Sequence, residues 1–382
     1  MPRPISSTIS RPADQGDSVH VQWEANDVSN DRFRLIGLID DMCAGKDVFF
    51  RFVRAVKDIM PNNVKTLTLD DTVGKALKFM KRSGIRHVCV IDIPIGDEKK
   101  PYFVGVVSER DIFRQLSPST GKINEEKTNP KAQRQLLVQV VTRNPKTVSP
   151  ETSIPNMLSI MLDNHIDMVP VLDGEDLISV VTTADVIKLI VRFDTICRQI
   201  HTPNKNRSAD RLSTGADNVT SSFTTVLQTV KDMMTQEVVC LGTGDNLAAA
   251  MEAMKNGKFR HVPIVGEEGT LIGILSDRDV LRYLPFIGGQ RLPRTGSFRS
   301  SLFHVDMSDP SLSLPITSIM TRNVTHIRPD CSFYDAVKML YELKISCLPV
   351  VDEEKKLRGI VTVTDVMRAL LRIYQLNEKS GA

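Results

Sequence analysis

The chain has 382 residues, 41% of them hydrophobic and 25% charged, and its 49 Lys+Arg against 46 Asp+Glu leave a net charge of only +3. That length can bury the cores of two or three ordinary domains, while the even charge balance and the lack of a long basic run point away from a nucleic-acid or membrane-surface protein. No window reaches the roughly 18 consecutive apolar residues of a membrane span, and the first twenty residues lack the apolar stretch of a secretory signal, so a cytoplasmic protein is expected.

Residues 1–29, rich in Ser, Pro, Asp and Asn, carry no apolar period and are expected to be disordered. Their Ser- and Arg-containing start could be read as a transit peptide, but Asp14 and Asp17 count against that. From Asp31 the pattern becomes helical: Phe33, Leu35, Ile36, Leu38, Ile39 and Met42 make one stripe, and Val48, Phe49, Phe52, Val53 and Val56 a second. This lead-in, 30–57, is expected to pack against the segment that follows it. The six cysteines (Cys43, Cys89, Cys197, Cys240, Cys331, Cys347) are far apart, with no Cys-x-x-Cys and no metal-ligand spacing, so reduced, buried thiols and no metal site are expected.

The chain then repeats itself. Gly105-Val-Val-Ser-Glu-Arg-Asp111 returns as Ser179-Val-Val-Thr-Thr-Ala-Asp185, Gly273-Ile-Leu-Ser-Asp-Arg-Asp279 and Gly359-Ile-Val-Thr-Val-Thr-Asp365. Met60, Val141, Met234 and Met320 precede these aspartates by 51, 44, 45 and 45 residues, a period regular enough to mean internal repeats. Each repeat opens with a short β-branched strand (64–69, 147–148, 238–241, 324–327). A helix follows, with apolar residues at i, i+3, i+4 and i+7: Val73, Ala76, Leu77, Met80; Ile154, Met157, Leu158, Met161; Leu247, Ala250, Met251, Met254; Phe333, Ala336, Val337, Leu340. A second strand (87–91, 168–172, 261–265, 347–351) leads through a polar hairpin, longest in the first repeat, into the motif strand. A last helix starts near the motif aspartate, with Ile112, Phe113 and Leu116 in the first repeat and Val280, Leu281 and Leu284 in the third as its apolar residues.

The repeats are placed at 58–117, 134–195, 228–285 and 315–375, with a polar linker at 196–227, an inserted loop at 286–314 and a tail at 376–382. A β-α-β-β-α unit covers one sheet face with helices and leaves the other half apolar, so it must pair with a neighbour. Pairing of one with two and of three with four, followed by packing or dimerisation of the two pairs through their remaining helical faces, is the expected architecture.

The Pro-containing second strands (Val169-Pro170-Val171, Val262-Pro263-Ile264, Leu348-Pro349-Val350), the fourfold Gly-h-h-[Ser/Thr]-x-x-Asp motif and the element order resemble cystathionine-β-synthase (CBS) domains. Cys89 departs from the proline pattern. The resemblance covers about residues 57–195 and 228–375. It implies an α/β (α+β) fold of four CBS repeats paired into two Bateman modules. It further implies adenosine ligands in the clefts between paired repeats, with the motif hydroxyl and aspartate on the ribose and basic side chains on phosphates.

The motif residues carry two readings. Ser108 with Asp111, Thr182 with Asp185, Ser276 with Asp279 and Thr362 with Asp365 stand at a helix start and form a capping box on their own account. With the resemblance they become ligand contacts, together with Gly105 and Gly273. Basic residues favour repeats one and three, where Arg86, His87 and Arg110 correspond to Arg260, His261 and Arg278; repeats two and four have Asp167, Met168, Ala184 and Ser346, Cys347, Thr364 at those places. His165 and Lys344 are near enough in sequence to assist. Asp167 would repel a phosphate if it faced its cleft.

No nucleophile–base set, metal cluster or phosphate-binding Gly-rich loop is present, so an enzyme is not expected. The expected function is regulatory sensing of adenine nucleotides (AMP, ADP or ATP), passed to a separate regulated protein or to the chain's own association as a homodimer. The alternatives are a structural or interaction module, or a sensor of S-adenosylmethionine.

Overall fold

The structure is a computed structural model of the chain and describes residues 7–9, 21–23, 53–94, 100–109, 111–112, 134–191, 229–283 and 310–380. The expected lead-in helix residues 33–49, Phe113, Leu116, Leu284, Arg110 and the linker at 196–227 lie outside them. Within 1–29, two three-residue strands, β1 (Ser7–Ile9) and β2 (Val21–Trp23), pair antiparallel where no structure was expected.

Each repeat begins its sheet with a strand or single bridge parallel to the second strand. In the first repeat this is β3 (Thr66–Thr68) beside β4 (His87–Asp92). In the third it is β9 (Leu241–Gly242) beside β10 (His261–Val265). In repeats two and four only Val148 and Ile327 make the contact, to Val171 and Val350 of the second strands β7 (Met168–Asp173) and β12 (Cys347–Val351). The second strand then pairs antiparallel with the motif strand: β5 (Tyr102–Ser108), β8 (Asp176–Thr182), β11 (Leu271–Ser276) and β13 (Leu357–Thr362).

The helices between first and second strands are α1 (Val73–Ser83), α2 (Ile154–Asp163), α4 (Leu247–Gly257) and α6 (Phe333–Glu342). Each starts where a side chain takes up an otherwise orphaned backbone N–H: the Thr72, Ser153, Asn246 and Ser332 oxygens accept from Lys75, Asn156, Ala249 and Asp335 at 3.2, 3.4, 3.0 and 3.0 Å. Each ends in a left-handed residue at a matching place, Gly84, His165, Lys258 or Lys344, with φ of 64°, 54°, 58° and 54°. This is the turn at which glycine alone meets no Cβ penalty. Lys344→Gly is therefore expected to raise stability by up to about 1 kcal/mol, read as a shift of the urea midpoint at constant m-value. It also places His165 and Lys344 at helix ends of their own repeats. The helices that follow the motif are α3 (183–191), α5 (Asp277–Tyr283) and α7 (Val363–Ser380). No helix among the described residues is long and apolar enough to cross a membrane.

Repeats pair within the chain by exchanging their leading segments. The single turn Val56–Asp58 does not pack on the repeat that follows it, as the sequence suggested; Val53 and Val56 are buried in the core that holds α2 of repeat two, and Val56 N donates to Thr152 O at 2.9 Å. In return Leu137 and Val140, which open repeat two, complete the core of repeat one around Val73, Ala76 and Met80. Val230 enters the core of repeat four, and Ile316 and Ile319 enter that of repeat three, together with Leu312 from the end of the inserted loop. The sheet faces left open by the helices meet as expected: Val64, Cys89, Ile91 and Val106 pack on Met168 and Leu177.

The two modules are joined by the cores of repeats two and four, which form one continuous apolar cluster running from Met157 and Leu158 to Val366, Leu370 and Ile373. Helix α7 lies against α2, and the buried Tyr374 hydroxyl donates to Val53 O at 2.7 Å. Of the cysteines, Cys89 and Cys347 are buried, and burial pushes both thiols up. Cys240 is exposed, against the expectation of burial.

Candidate ligand-binding site

The motif strand hands over to a helix, and its last hydroxyl meets the first-turn aspartate in the same way four times. Ser108 Oγ and N donate to Asp111 Oδ2 at 2.6 and 3.0 Å. Thr182 and Asp185 do so at 2.6 and 2.8 Å. Ser276 and Asp279 repeat the pattern at 2.6 and 2.9 Å, and Thr362 and Asp365 at 2.7 and 2.9 Å. The hydroxyl in turn accepts from the aspartate N–H at 3.1–3.4 Å. The capping box is thus formed in every repeat. At Asp365 the other oxygen is taken as well, by Arg368 Nη1 at 3.0 Å, and burial raises this carboxyl despite those donors.

The strand register brings the basic residues to the motif. His87 stands opposite Ser108 and His261 opposite Ser276, while Glu109 N and Asp277 N donate to the carbonyls of Arg86 and Arg260 at 2.8 and 2.9 Å. Each of these two repeats therefore gathers an Arg-His pair, a hydroxyl and a carboxylate at one corner. Arg278 sits in the same turn as Ser276 and Asp279.

Gly105 and Gly273, expected at the ligand, have a different neighbour. A Cβ on Gly105 would run into the Thr142 carbonyl, and one on Gly273 into Met320 and the Thr321 carbonyl, both from the partner repeat's leading segment. The small residue lets that segment lie against the motif strand: Gly105 pairs with Arg143 of β6 (Thr142–Arg143), and Ile274 bridges Thr321. Ser179, at the same place in repeat two, is buried and donates to Pro61 O at 2.6 Å.

The four corners converge. His261 Nε2 lies 3.1 Å from Ser346 Oγ of repeat four. Arg260 makes a two-toothed ion pair with Asp167 of repeat two, at 2.6 and 2.8 Å, and Arg278 Nε lies 3.5 Å from Glu109 of repeat one. Asp167 thus faces a cation of the other module. Burial alone would lower the pKa of Arg260, and the Asp167 hydrogen bonds and charge, with Asp277, more than offset it, so the guanidinium is held above its ordinary value. Glu109 and Ser346 were not expected as site residues, although Glu109 lies in the motif turn and Ser346 was seen to stand at the place of Arg86 and Arg260. Among the described residues no group of His, Cys, Asp and Glu is arranged to hold a metal ion.

A family model described as CBS domain matches residues 56–118, 137–192, 230–285 and 316–372. An uncharacterized protein of Methanocaldococcus jannaschii is 24% identical over 327 residues, 86% of this chain and 63% of its own length, so the chain spans under two thirds of that relative. A crystal structure from the same organism, whose description proposes it as an archaeal homolog of g-AMPK, superposes with a TM-score of 0.54 at 21% identity, over 83% of this chain and 99% of that one. A chloroplastic CBS domain-containing protein of Arabidopsis thaliana, solved in complex with AMP, covers 38% of this chain and 98% of its own at 27% identity and a TM-score of 0.30.

Proposed function

We infer that this chain, which belongs to the CBS-domain family, is a regulatory protein that senses adenine nucleotides in its inter-repeat clefts and passes their binding to a partner protein or to its own assembly. The observation that carries this is the corner of repeat one, where Arg86 and His87 adjoin Ser108 and Asp111. A ribose diol needs acceptors, and a carboxylate offers about four acceptor directions. A phosphate needs cations at hydrogen-bonding range, and charge-assisted contacts to arginine supply them. Repeat three carries the same set in Arg260, His261, Ser276, Arg278 and Asp279. In repeats two and four, Thr182 with Asp185 and Thr362 with Asp365 lack the arginines, and Asp365 is already bound on both oxygens; a neutral adenosine group suits these clefts better than a phosphate.

Calorimetry of the purified chain with AMP, ADP, ATP, adenosine and S-adenosylmethionine tests this reading. Binding of at least one adenine nucleotide well below 1 mM, or beyond about 4 kcal/mol, is expected. The caps hold by themselves, which is what favours the alternative of an interaction module; absence of any binding would decide for it. Arg86→Ala is expected to weaken AMP roughly 10- to 100-fold, the worth of a charged hydrogen bond of about 1.5–3 kcal/mol, and to leave adenosine unchanged. Equal losses for both ligands would place the phosphate elsewhere. Asp111→Ala removes a cap too, at about 1 kcal/mol of stability, so its binding must be read well below its melting temperature.

A further inference from the structure

The residue just before the second strand occupies the same place in all four repeats, and it is Arg86, Asp167, Arg260 and Ser346 in turn. Two of these equivalent residues meet across the module boundary. Both terminal nitrogens of Arg260 are held by both oxygens of Asp167, at 2.6 and 2.8 Å, with side-chain exposures of 29% and 21%. Asp277 of its own repeat, itself buried, adds a second nearby carboxylate. Arg278, the other cation of this corner, faces Glu109 of the other module. No ion pair holds Arg86 among the described residues. Two corners with matching sequence are therefore in different electrostatic states.

A carboxylate and a phosphate present the same pair of oxygens to a guanidinium, so only one of them can hold its two terminal nitrogens end-on at a time. We propose that Asp167 is a specificity-determining residue, which occupies on Arg260 the place a ligand phosphate would take and so makes repeat three a poor cleft for phosphate-bearing ligands, leaving repeat one to fill first. This rests on the nucleotide-sensing reading above. A phosphate entering the third cleft must displace a partly enclosed carboxylate, which then loses its compensating charge. Filling that cleft consequently breaks a contact between the two modules, and filling the first does not. A nucleoside without phosphate leaves the pair intact.

The test is titration of the full-length chain with AMP and with adenosine, in the wild type and in Asp167→Asn, Asp167→Ser, Arg260→Ala and Asp167→Asn/Arg260→Ala. The wild type is expected to show one tighter AMP site and another at least tenfold weaker. Asp167→Asn and Asp167→Ser should tighten the weaker site about tenfold with adenosine unchanged, and adding Arg260→Ala should abolish that gain. Arg260→Ala alone should leave the tighter site intact. If the Asp167 variants leave the weaker AMP site unchanged or weaker, or if Arg260→Ala removes the tighter one, the inference is overturned while nucleotide sensing stands. If neither AMP nor adenosine binds any form, nucleotide sensing fails and this inference falls with it.

Discussion

Leu370→Ala is expected to lower the unfolding free energy by about 2–5 kcal/mol and to do so for both modules together. Leu370 is fully buried in the cluster shared by repeats two and four, among Val366, Met367 and Ile373 of its own helix and Met157 and Leu158 of the other module. Truncation removes the transfer energy of three carbons and leaves a cavity that a core drawn from two modules cannot easily close. Urea unfolding followed by circular dichroism, with hydrogen exchange to separate the modules, reads the effect. Leu343→Ala, at a half-exposed helix end, should stay within about 0.5 kcal/mol. Two transitions, with that of repeats one and two unmoved, would show that the modules do not share one core.

Gly105→Val should cost about 3 kcal/mol, near the upper end of ordinary overpacking, and act on the pairing of repeats one and two. The added carbons point at the Thr142 carbonyl and the Val141 side chain. Backbone cannot rotate aside as a side chain does, so the leading segment of repeat two must lift off β5. That withdraws its pairing at Gly105 and Val106 and disturbs Leu137 and Val140 in the first core. Gly273 makes the control: most of what a Cβ meets there is the flexible Met320 side chain, so Gly273→Ala should be markedly milder than Gly105→Ala. Thermal melts and limited proteolysis between residues 112 and 134 would report it. Equal effects at the two glycines would remove backbone approach as the reason for glycine at 105.

The spacing of the apolar stripes was enough to place all four helices after the first strands. Of the sixteen stripe residues, Leu77 alone is not fully buried. Strand pairing could be read for the same reason, because the hairpins fix register locally, and it brings His87 to Ser108 and His261 to Ser276. The destination of Val56 could not be read. An apolar residue before a repeat suits either neighbouring core, and the choice depends on which helix starts beside it, here Ser153 through the bridge to Ala55. The Asp167–Arg260 contact spans 93 residues and two modules; periodicity within a repeat carries no information about it. The glycines carried an ambiguity of a different kind: their smallness was visible, but a ligand and a strand would each ask for it.

The contact between Tyr374 and Val53 links residues 321 apart. A chain emerging from the ribosome therefore holds Val53 and Val56 for most of its synthesis before the last helix arrives to finish their surroundings, and repeat one waits in the same way for Leu137 and Val140. Domains that complete themselves early fold during translation, whereas this one keeps apolar surface open until helix α7 has been made. Closing so long a loop adds an entropic cost to that contact, and removal of helix α7 is expected to be a more severe lesion than the loss of a few surface residues.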